Sequence, residues 1–322
     1  MMFLDPKSDM VFKKLFGTIT HKKILISFLN GVLERANGID GGLIIDVAIG
    51  DPSNIAESSD LKASAVDVRC TDQAGNQYII EMQVIREPHY AARAQYYTAI
   101  GLGRQLAVGE QYDKLVPVMF VGILDFKLFG GDDYISHHLI LNKKTHVHEL
   151  KHQSYHFIEL DKFEKKIDEL DTILEKWTYF FKHAATLQNK PESFQEPVLA
   201  EAFNVLIQSN WTKAELEAYD RYLDAIRSRL GQIDAALTEG KAEGKAEGKI
   251  EGKIEGKIEG KIEGKIEGKI EGKIEGRVEG REEKAVEVAT RLLHKGFDIA
   301  TVVEMTDLTV RQVEVLKKSK ST

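Results

Sequence analysis

Two acidic residues, Asp67 and Glu81, stand at matching positions on either side of a short polar segment. Apolar-rich runs flank that segment, DQAGN at 72–76, whose residue types favour a tight turn. We therefore expect a β-hairpin, and if it is symmetric about Ala74, Asp67 lies directly opposite Glu81. Two facing carboxylates are destabilising unless a cation offsets their charge. The pair is therefore a candidate site for a divalent metal ion.

The alternation of side chains along a strand decides which residues accompany the two acids. On the same face as the acids we expect Ala65, Asp67, Arg69, Ile79, Glu81 and Gln83. On the other face, predicted to be the core face, we expect Val66, Val68, Ile80, Met82 and Val84. Gln83 could orient a water or contact a phosphate, but it supplies no positive charge. Spacing alone also fits an exposed polar sheet face with two scattered acids.

Magnesium suits this pair because it binds one or two carboxylates and fills its octahedral shell with waters and substrate phosphate oxygens. The chemistry expected of such a site is hydrolysis, in which an activated water attacks a phosphodiester. The expected cofactor is Mg²⁺ or another divalent cation.

The surrounding pattern predicts an α/β core over residues 1–160. Residues 8–35 have apolar positions at helical spacing, interrupted near Gly17, which indicates two helical pieces. Strands are predicted at 43–50, 64–71 and 77–85, a helix from Pro88 through Gly109, and a buried strand at 117–126. The predicted order is helix, three strands, helix, strand.

Several segments of this core resemble a known family. They are DMVFKKLFG at 9–17, DLKASAVDVRC at 60–70, YIIEMQ at 78–83 and RAQYYT at 93–98, together with a repeat nearer the C-terminus. The combination resembles the PD-(D/E)XK nuclease fold and, within it, the Rpn family of recombination-promoting nucleases, also described as transposases. The resemblance covers roughly residues 3–185 and the repeat. It implies a metal-dependent DNA endonuclease that promotes recombination.

The resemblance assigns roles to individual residues. Asp67 and Glu81 match the metal-binding acids of the family, while Gln83 stands where the wider superfamily has its catalytic lysine. Asp9 and Lys13 fall in the N-terminal DxxFK motif, and Asp9 is a candidate for a further acid near the metal. The missing lysine leaves an alternative, in which a weak or inactive nuclease fold serves as a DNA-binding or oligomeric interaction module.

Arg93 and Tyr97 are four residues apart on the helix after the hairpin, so they share a face. One interpretation is that both contact the DNA backbone. The other is a salt bridge and a packed aromatic ring.

Beyond the core, residues 161–238 have amphipathic helical segments and are interpreted as a helical extension. Residues 239–281 form a tetrapeptide repeat with eleven glutamates, eleven glycines and eleven basic residues. A lone helix of this composition is unfavourable, because eleven glycines cost on the order of 10 kcal/mol relative to alanine. The repeat is therefore a flexible or partly helical linker, or a helix that associates with other copies.

Residues 282–322 are predicted to form a small helical unit, with a helix ending near Gly296, a second helix, a turn at Asp307 and a third helix. The last two helices resemble a helix-turn-helix, and Arg311, Lys317 and Lys318 are its basic residues. The unit either reads DNA or associates with a second copy. We expect a homo-oligomer, formed through the repeat or through this unit.

Composition excludes several other classes of protein. The net charge is −7, which argues against a protein that coats nucleic acid through general electrostatics. The single cysteine, Cys70, excludes an intrachain disulfide and a cysteine-built zinc site, and its apolar surroundings indicate packing. His146 and His148 form an H-x-H pair without an evident third ligand, so we interpret them as polar strand positions. The absence of a long apolar run predicts a cytoplasmic protein with no membrane partner.

Overall fold

The computed structural model describes residues 3–35, 42–51 and 66–318. The chain divides into two compact units, Met1–Gln232 and Ile233–Thr322. The helices are α1 (Asp9–Phe16), α2 (Lys22–Arg35), α3 (Tyr90–Gly103), α4 (Ile173–His183), α5 (Pro197–Leu206), α6 (Lys213–His294), α7 (Ile299–Thr306) and α8 (Val310–Lys318). The strands are β1 (Val47–Gly50), β2 (Val68–Asp72), β3 (Gln77–Gln83), β4 (Val118–Leu124), β5 (Ile135–Leu139) and β6 (Gln153–Glu159).

The first unit is a mixed α/β structure built on a six-stranded sheet of order β1-β2-β3-β4-β6-β5. β1, β2 and β3 are antiparallel neighbours, whereas β4 is parallel to both β3 and β6. β5 closes the far edge in antiparallel register with β6. The helix α3 connects β3 to its parallel neighbour β4, as a parallel crossover requires.

The turn of the β2–β3 hairpin fixes the register predicted from the sequence. Val68 pairs with Ile80 and Thr71 pairs with Gln77, so the hairpin is symmetric about Ala74. The Asp72 carboxylate organises the turn, because it accepts hydrogen bonds from the backbone N–H groups at positions 74 and 76 and from the Tyr78 hydroxyl, at 2.8, 2.9 and 2.9 Å. These bonds form an Asx-type turn of the kind that aspartate favours.

Both faces of this sheet are buried, which corrects the prediction of one core face and one polar face. One face packs on α1, α2, α4 and α5, and its strand residues include Val68, Cys70 and Ile80. The other face is covered by α3 and includes Ile79 and Val66, the latter predicted for the opposite side. The alternation holds within β2 and β3 but fails at Val66, which precedes β2. A short-range pattern also does not show that a crossover helix will cover the second face.

Further differences concern helix ends and strands. α3 ends at Gly103 and does not continue to 109; the Gln105 side chain instead pairs with the backbone N–H and C=O of Val116. β5 and β6 lie in a histidine-rich region where no strand was predicted. His146 and His148 lie in the loop between them, so their interpretation as strand positions was wrong. The first two residues of the predicted strand 64–71 lie outside the described residues.

The helices after the sheet belong to the same core as α1 and α2. Trp177, Phe180 and Phe203 are buried in the cluster that also contains Phe12 and Phe16. The start of α6 is anchored to this unit as well. Lys14 pairs with Glu215 at 2.9 Å and lies 3.8 Å from the centroid of the Trp211 ring.

In the second unit, the tetrapeptide repeat is helical throughout, as part of α6. Its isoleucines remain more than half exposed, from 53 to 59%. After the repeat, α6 continues without a break to His294, and α7 and α8 follow; Gly296 and Asp307 adopt left-handed conformations at the two turns. Ala289, Val302, Leu308 and Val313 form their small core. Among the described helices, none combines the length and apolarity needed to cross a bilayer.

Candidate active site

Asp67 immediately precedes β2 and is tied to the neighbouring strand by its side chain. Its Oδ2 accepts a 2.7 Å hydrogen bond from the backbone N–H of Met82, the residue after Glu81. The pKa of Asp67 is raised to about 6, mainly by burial and in part by the nearby Asp9 carboxylate. The Met82 bond opposes this shift because it stabilises the charged form. Asp67 is thus a positioned, half-buried carboxylate that gains from a nearby positive charge.

Glu81 lies in the middle of β3 on the face covered by α3, and its side chain is only 4% exposed. Burial raises its pKa to about 8, and the charge of Asp67 adds to this effect, whereas Arg93 lowers it. Glu81 Oε2 receives no hydrogen bond of good geometry from the described residues; its neighbours are the Tyr90 hydroxyl, which lowers the pKa of Glu81, and Arg93 Nη2 at 3.6 Å. A buried carboxylate oxygen with only these weak contacts is costly, so this atom is a candidate metal ligand.

Gly122 makes room for the groups around Glu81. It is the β4 residue paired with Glu81 in the parallel register. A Cβ at this position would stand 2.9 Å from the Phe157 ring and 3.0 Å from the Tyr90 hydroxyl oxygen. A glycine therefore allows Tyr90, the first residue of α3, to place its hydroxyl over this part of the sheet.

Arg93 provides the positive charge nearest to Glu81 in the described structure. Its Nη2 lies 3.6 Å from Glu81 Oε2, and its Nη1 lies 2.5 Å from Glu87 Oε2. The guanidinium also stacks near the Tyr90 ring, 4.9 Å from the centroid. At 30% exposure the side chain can be reached from solvent. Of the two interpretations of Arg93, the salt bridge is present: Arg93 pairs with Glu81 and Glu87, and this joins it to the candidate site.

Asp9 and Lys13 approach Asp67 from α1. They form an ion pair of 2.7 Å with each other, and both side chains are more than 40% exposed. Asp9 is close enough to raise the pKa of Asp67 and Lys13 is close enough to lower it. Lys13 and Asp67 also line a small cavity of about 110 Å³ between α1 and the β1–β2 edge. The structure therefore brings the N-terminal motif to the carboxylate site.

The two remaining candidates differ in position. Gln83 ends β3, two residues beyond Glu81, so alternation places it on the same face. Its backbone C=O accepts a 2.9 Å hydrogen bond from the backbone N–H of Asp125. Tyr97 is only 5% exposed and packs in the cluster beneath α3. This burial favours the packed ring over a contact with a DNA backbone.

The chemistry of two residues suits a divalent cation: Asp67 and Glu81 carry hard carboxylate oxygens, and Asp9 lies near Asp67. Among the described residues, however, no group of three or more His, Cys, Asp or Glu side chains is arranged to hold a metal ion, so waters and substrate oxygens would have to complete its shell. Burial holds the pKa values of Asp67 and Glu81 above their ordinary range, and a bound cation would reverse that shift by favouring the charged forms.

Four residues of this site were not identified from the sequence: Tyr90, Glu87, Gly122 and Tyr222. Tyr222, in the sixth helix, lies near Asp9 and Asp67; burial raises its pKa to about 12, and these two charges add to the effect. Glu87 precedes α3 and is six residues from Arg93, so helical spacing did not predict their ion pair. Gly122 and Tyr222 carry no local signal, because only the tertiary fold brings them to the hairpin.

Comparison with known proteins identifies a family for most of the chain. Residues 6–236 match the model of the PD-(D/E)XK nuclease family transposases. Neither the curated proteins nor the solved structures compared with the chain give a match. The matched residues include α1, the hairpin, α3 and the start of α6, and they make up most of the chain. With its mixed α/β sheet and paired acids, the chain belongs to the PD-(D/E)XK nuclease family transposases.

Proposed function

We propose that this protein is a divalent-cation-dependent DNA endonuclease that hydrolyses phosphodiester bonds at Asp67 and Glu81 and thereby promotes DNA recombination. The observation that carries the proposal is the buried Oε2 of Glu81, which receives no hydrogen bond of good geometry from the described residues, beside a second carboxylate held in place by the Met82 N–H. Burying two acids in this way is unfavourable for folding alone, which supports a role in binding. Membership of the nuclease family supports DNA as the substrate.

Asp67 and Glu81 would hold the cation, and Asp9 could complete the set of carboxylates. When bound, a Mg²⁺ ion polarises phosphoryl oxygens and lowers the pKa of a coordinated water. The Met82 N–H fixes one oxygen of Asp67, which leaves its other oxygen for a ligand. The hydrophobic cover of α3 restricts water around Glu81, and this strengthens electrostatic interactions at the site.

Arg93 supplies the positive charge that Gln83 cannot. Its guanidinium is close to Glu81 and partly exposed, so it can donate hydrogen bonds to a non-bridging phosphate oxygen as charge develops there. Glu87 holds this guanidinium in place through the 2.5 Å contact. Gln83 is suited to orient the attacking water or to contact the phosphate through its amide. Hydrolysis forms a new P–O bond from water and breaks one P–O ester bond.

The test is plasmid cleavage by the purified protein in the presence of Mg²⁺, with EDTA as the blank. The parent chain is compared with Asp67→Asn and with Asp113→Asn, a matched control at an exposed position in the segment between α3 and β4. Asparagine at 67 keeps an oxygen that can accept the Met82 bond and removes the charge. We expect cleavage by the parent and by the control only. Equal cleavage by all three proteins would overturn the site, and cleavage by none would favour a DNA-binding module.

Self-association through the repeat is part of the same proposal. A helix with eleven glycines is unfavourable by roughly 10 kcal/mol relative to alanine, and this one leaves a series of isoleucines about half exposed. Packing those isoleucines against other copies would offset the cost, since each buried apolar side chain contributes roughly 1.5–3 kcal/mol. Light scattering should give an oligomer for the full chain and a smaller species when Ile254, Ile262 and Ile270 are changed to glutamine. A parent protein that is already monomeric would contradict self-association through the repeat.

A further inference from the structure

The first turns of α6 lie beside the carboxylate site. Tyr222 is close to Asp9 and Asp67, as its raised pKa of about 12 reflects, although burial is the larger cause. Seven residues further on, about two helical turns, Arg229 Nη2 lies 3.6 Å from Glu87 Oε1. Glu87 in turn holds Arg93, the cation next to Glu81. This part of α6 therefore forms one side of the site.

Two arginines lie toward the same side of this part of the helix. At 100° per residue, the positions next to Tyr222 and Arg229 on the solvent side are Ala218, Arg221 and Ala225. We call Ala218, Arg221, Ala225 and Arg229 the arginine face; it contains two small residues and two arginines. Asp220 lies away from this face, whereas Glu217 and Asp224, four residues before and three residues after Arg221, border it and pair with Lys213 and Arg227.

We propose that the arginine face of α6 binds the phosphate backbone of DNA that enters the carboxylate site. The inference rests on the proposed function, since it takes DNA as the substrate. Alanines at 218 and 225 allow close approach of a sugar-phosphate backbone. Arginines at 221 and 229 present planar guanidinium groups that match phosphate oxygens.

The charge of the site explains why such a surface is needed. Asp9, Asp67 and Glu87 lie around the site, in a protein whose net charge is −7. This arrangement repels a polyanion, and Arg93 is engaged with Glu87 at 2.5 Å. Arg229 is 59% exposed and its contact with Glu87 is longer, at 3.6 Å. An exposed pair of this kind contributes little to stability, so Arg229 can exchange Glu87 for a phosphate at low cost.

The same helix offers a matched control. Lys213 and Arg227, which are 92% and 72% exposed, lie on the far side and pair with Glu217 and Asp224. The variant Arg221→Ala/Arg229→Ala and the control Lys213→Ala/Arg227→Ala each remove two positive charges from the first turns of α6. A third variant, Arg221→Lys/Arg229→Lys, keeps the charge and removes the planar group.

The experiment measures binding of a short fluorescent DNA duplex by fluorescence anisotropy, with the full chain, in EDTA and over a range of salt concentrations. For the alanine variant of the arginine face we expect an affinity about tenfold lower per lost phosphate contact. Its plot of log K against log salt concentration should become less steep by about 1.8, because each lost phosphate contact contributes about 0.9 to the slope. The control should match the parent, and the lysine variant should keep most of the slope.

Equal losses in the alanine variant and the control would overturn the inference, and so would a parent chain that does not bind the duplex. The readout is independent of catalysis because no cation is present. A selective loss of binding in a protein that cleaves no DNA would retain the arginine face and reject the proposed endonuclease. If the protein cleaves DNA and the alanine variant binds the duplex as tightly as the parent, the proposed endonuclease is retained and the arginine face is rejected.

Discussion

Asp67 is joined to the strand of Glu81 through the N–H of Met82, which donates to Asp67 Oδ2 at 2.7 Å. The β2–β3 ladder ends at the pair Val68–Ile80, one residue short of both acids. The side-chain bond therefore continues the connection between the strands beyond the last ladder pair. It keeps the two carboxylates close even though their charges repel, a geometry that a cation would stabilise.

Replacing Arg93 should lower the rate of DNA cleavage. Arg93→Gln removes the charge 3.6 Å from Glu81, and loss of one group that stabilises transition-state charge costs roughly 10²–10³-fold in kcat. Arg93→Lys should retain part of the rate, because it restores the charge without the planar fork. Single-turnover cleavage rates measure the effect, with Arg227→Gln as the control. Cleavage at the parent rate by Arg93→Gln would exclude this role.

Glu81 should make the cation-free protein less stable as the pH rises. Its pKa is 4.5 ordinarily and about 8 in the folded protein, so between these values the folded state binds a proton that the unfolded state has released. Stability then falls with rising pH, by at most about 1.4 kcal/mol per pH unit. Glu81→Gln should remove this slope. Asp67 acts in the same direction, between its ordinary value of 3.8 and about 6.

Urea unfolding in EDTA at several pH values measures this dependence. Glu81→Gln should be more stable than the parent near pH 8, and the difference should shrink toward pH 5. Added Mg²⁺ should stabilise the parent and leave the variant unchanged. A parent whose stability rises across this range would show that Glu81 is charged in the folded protein without a cation.

The Asp72 carboxylate should control the register on which the site depends. It accepts hydrogen bonds from two backbone N–H groups of the turn and from the Tyr78 hydroxyl. The Asn76 side-chain amide donates a fourth hydrogen bond at 3.0 Å. Asp72→Ala should cost about 4 kcal/mol, at roughly 1 kcal/mol for each bond. Tyr78→Phe removes one of the four bonds and should cost about a quarter as much. Denaturant unfolding separates the two variants, and equal costs would show that the turn does not depend on the carboxylate.

Gly122→Ala should destabilise the protein around Glu81. The added Cβ would approach the Phe157 ring to 2.9 Å and the Tyr90 hydroxyl to 3.0 Å, and crowding of a packed core costs typically 1–3 kcal/mol. Gly103→Ala is the control, because a Cβ there meets nothing within 4 Å at the end of α3. Thermal unfolding should show a loss for position 122 only. A similar melting temperature for both variants would mean that Tyr90 and Phe157 adjust freely.

The hairpin and its acids were predictable because their signals are local. Turn-forming residues at 72–76 set a symmetric register, and that register places Asp67 and Glu81 at matching positions. The same local pattern could not show that α3 covers Glu81, since Ala65 and Ile79 were the only apolar residues predicted for that face. Burial of Glu81 is a tertiary effect, and so are the shifts in pKa that follow from it.

Other parts of the fold depend on contacts between distant residues. β5 and β6 contain histidines and other polar residues, which form contacts between the two strands. The Nδ1 atoms of His137 and His156, for example, lie 2.8 Å apart. The start of α6 reaches Asp9 and Glu87 only because Trp211 and Tyr219 anchor it to the first unit, at Lys14 and Asp5. No sequence spacing connects these residues, which are about two hundred positions apart.

The central claim is that Asp67 and Glu81 form one divalent-cation site. Mn²⁺ takes the same hard oxygen ligands as Mg²⁺ and is paramagnetic, so electron paramagnetic resonance of free Mn²⁺ gives a binding curve directly. Titration of the parent and of Asp67→Asn/Glu81→Gln at the same pH compares them. We expect one Mn²⁺ site in each chain of the parent and no such site in the double variant. Equal Mn²⁺ binding by the two proteins would contradict a cation site at Asp67 and Glu81.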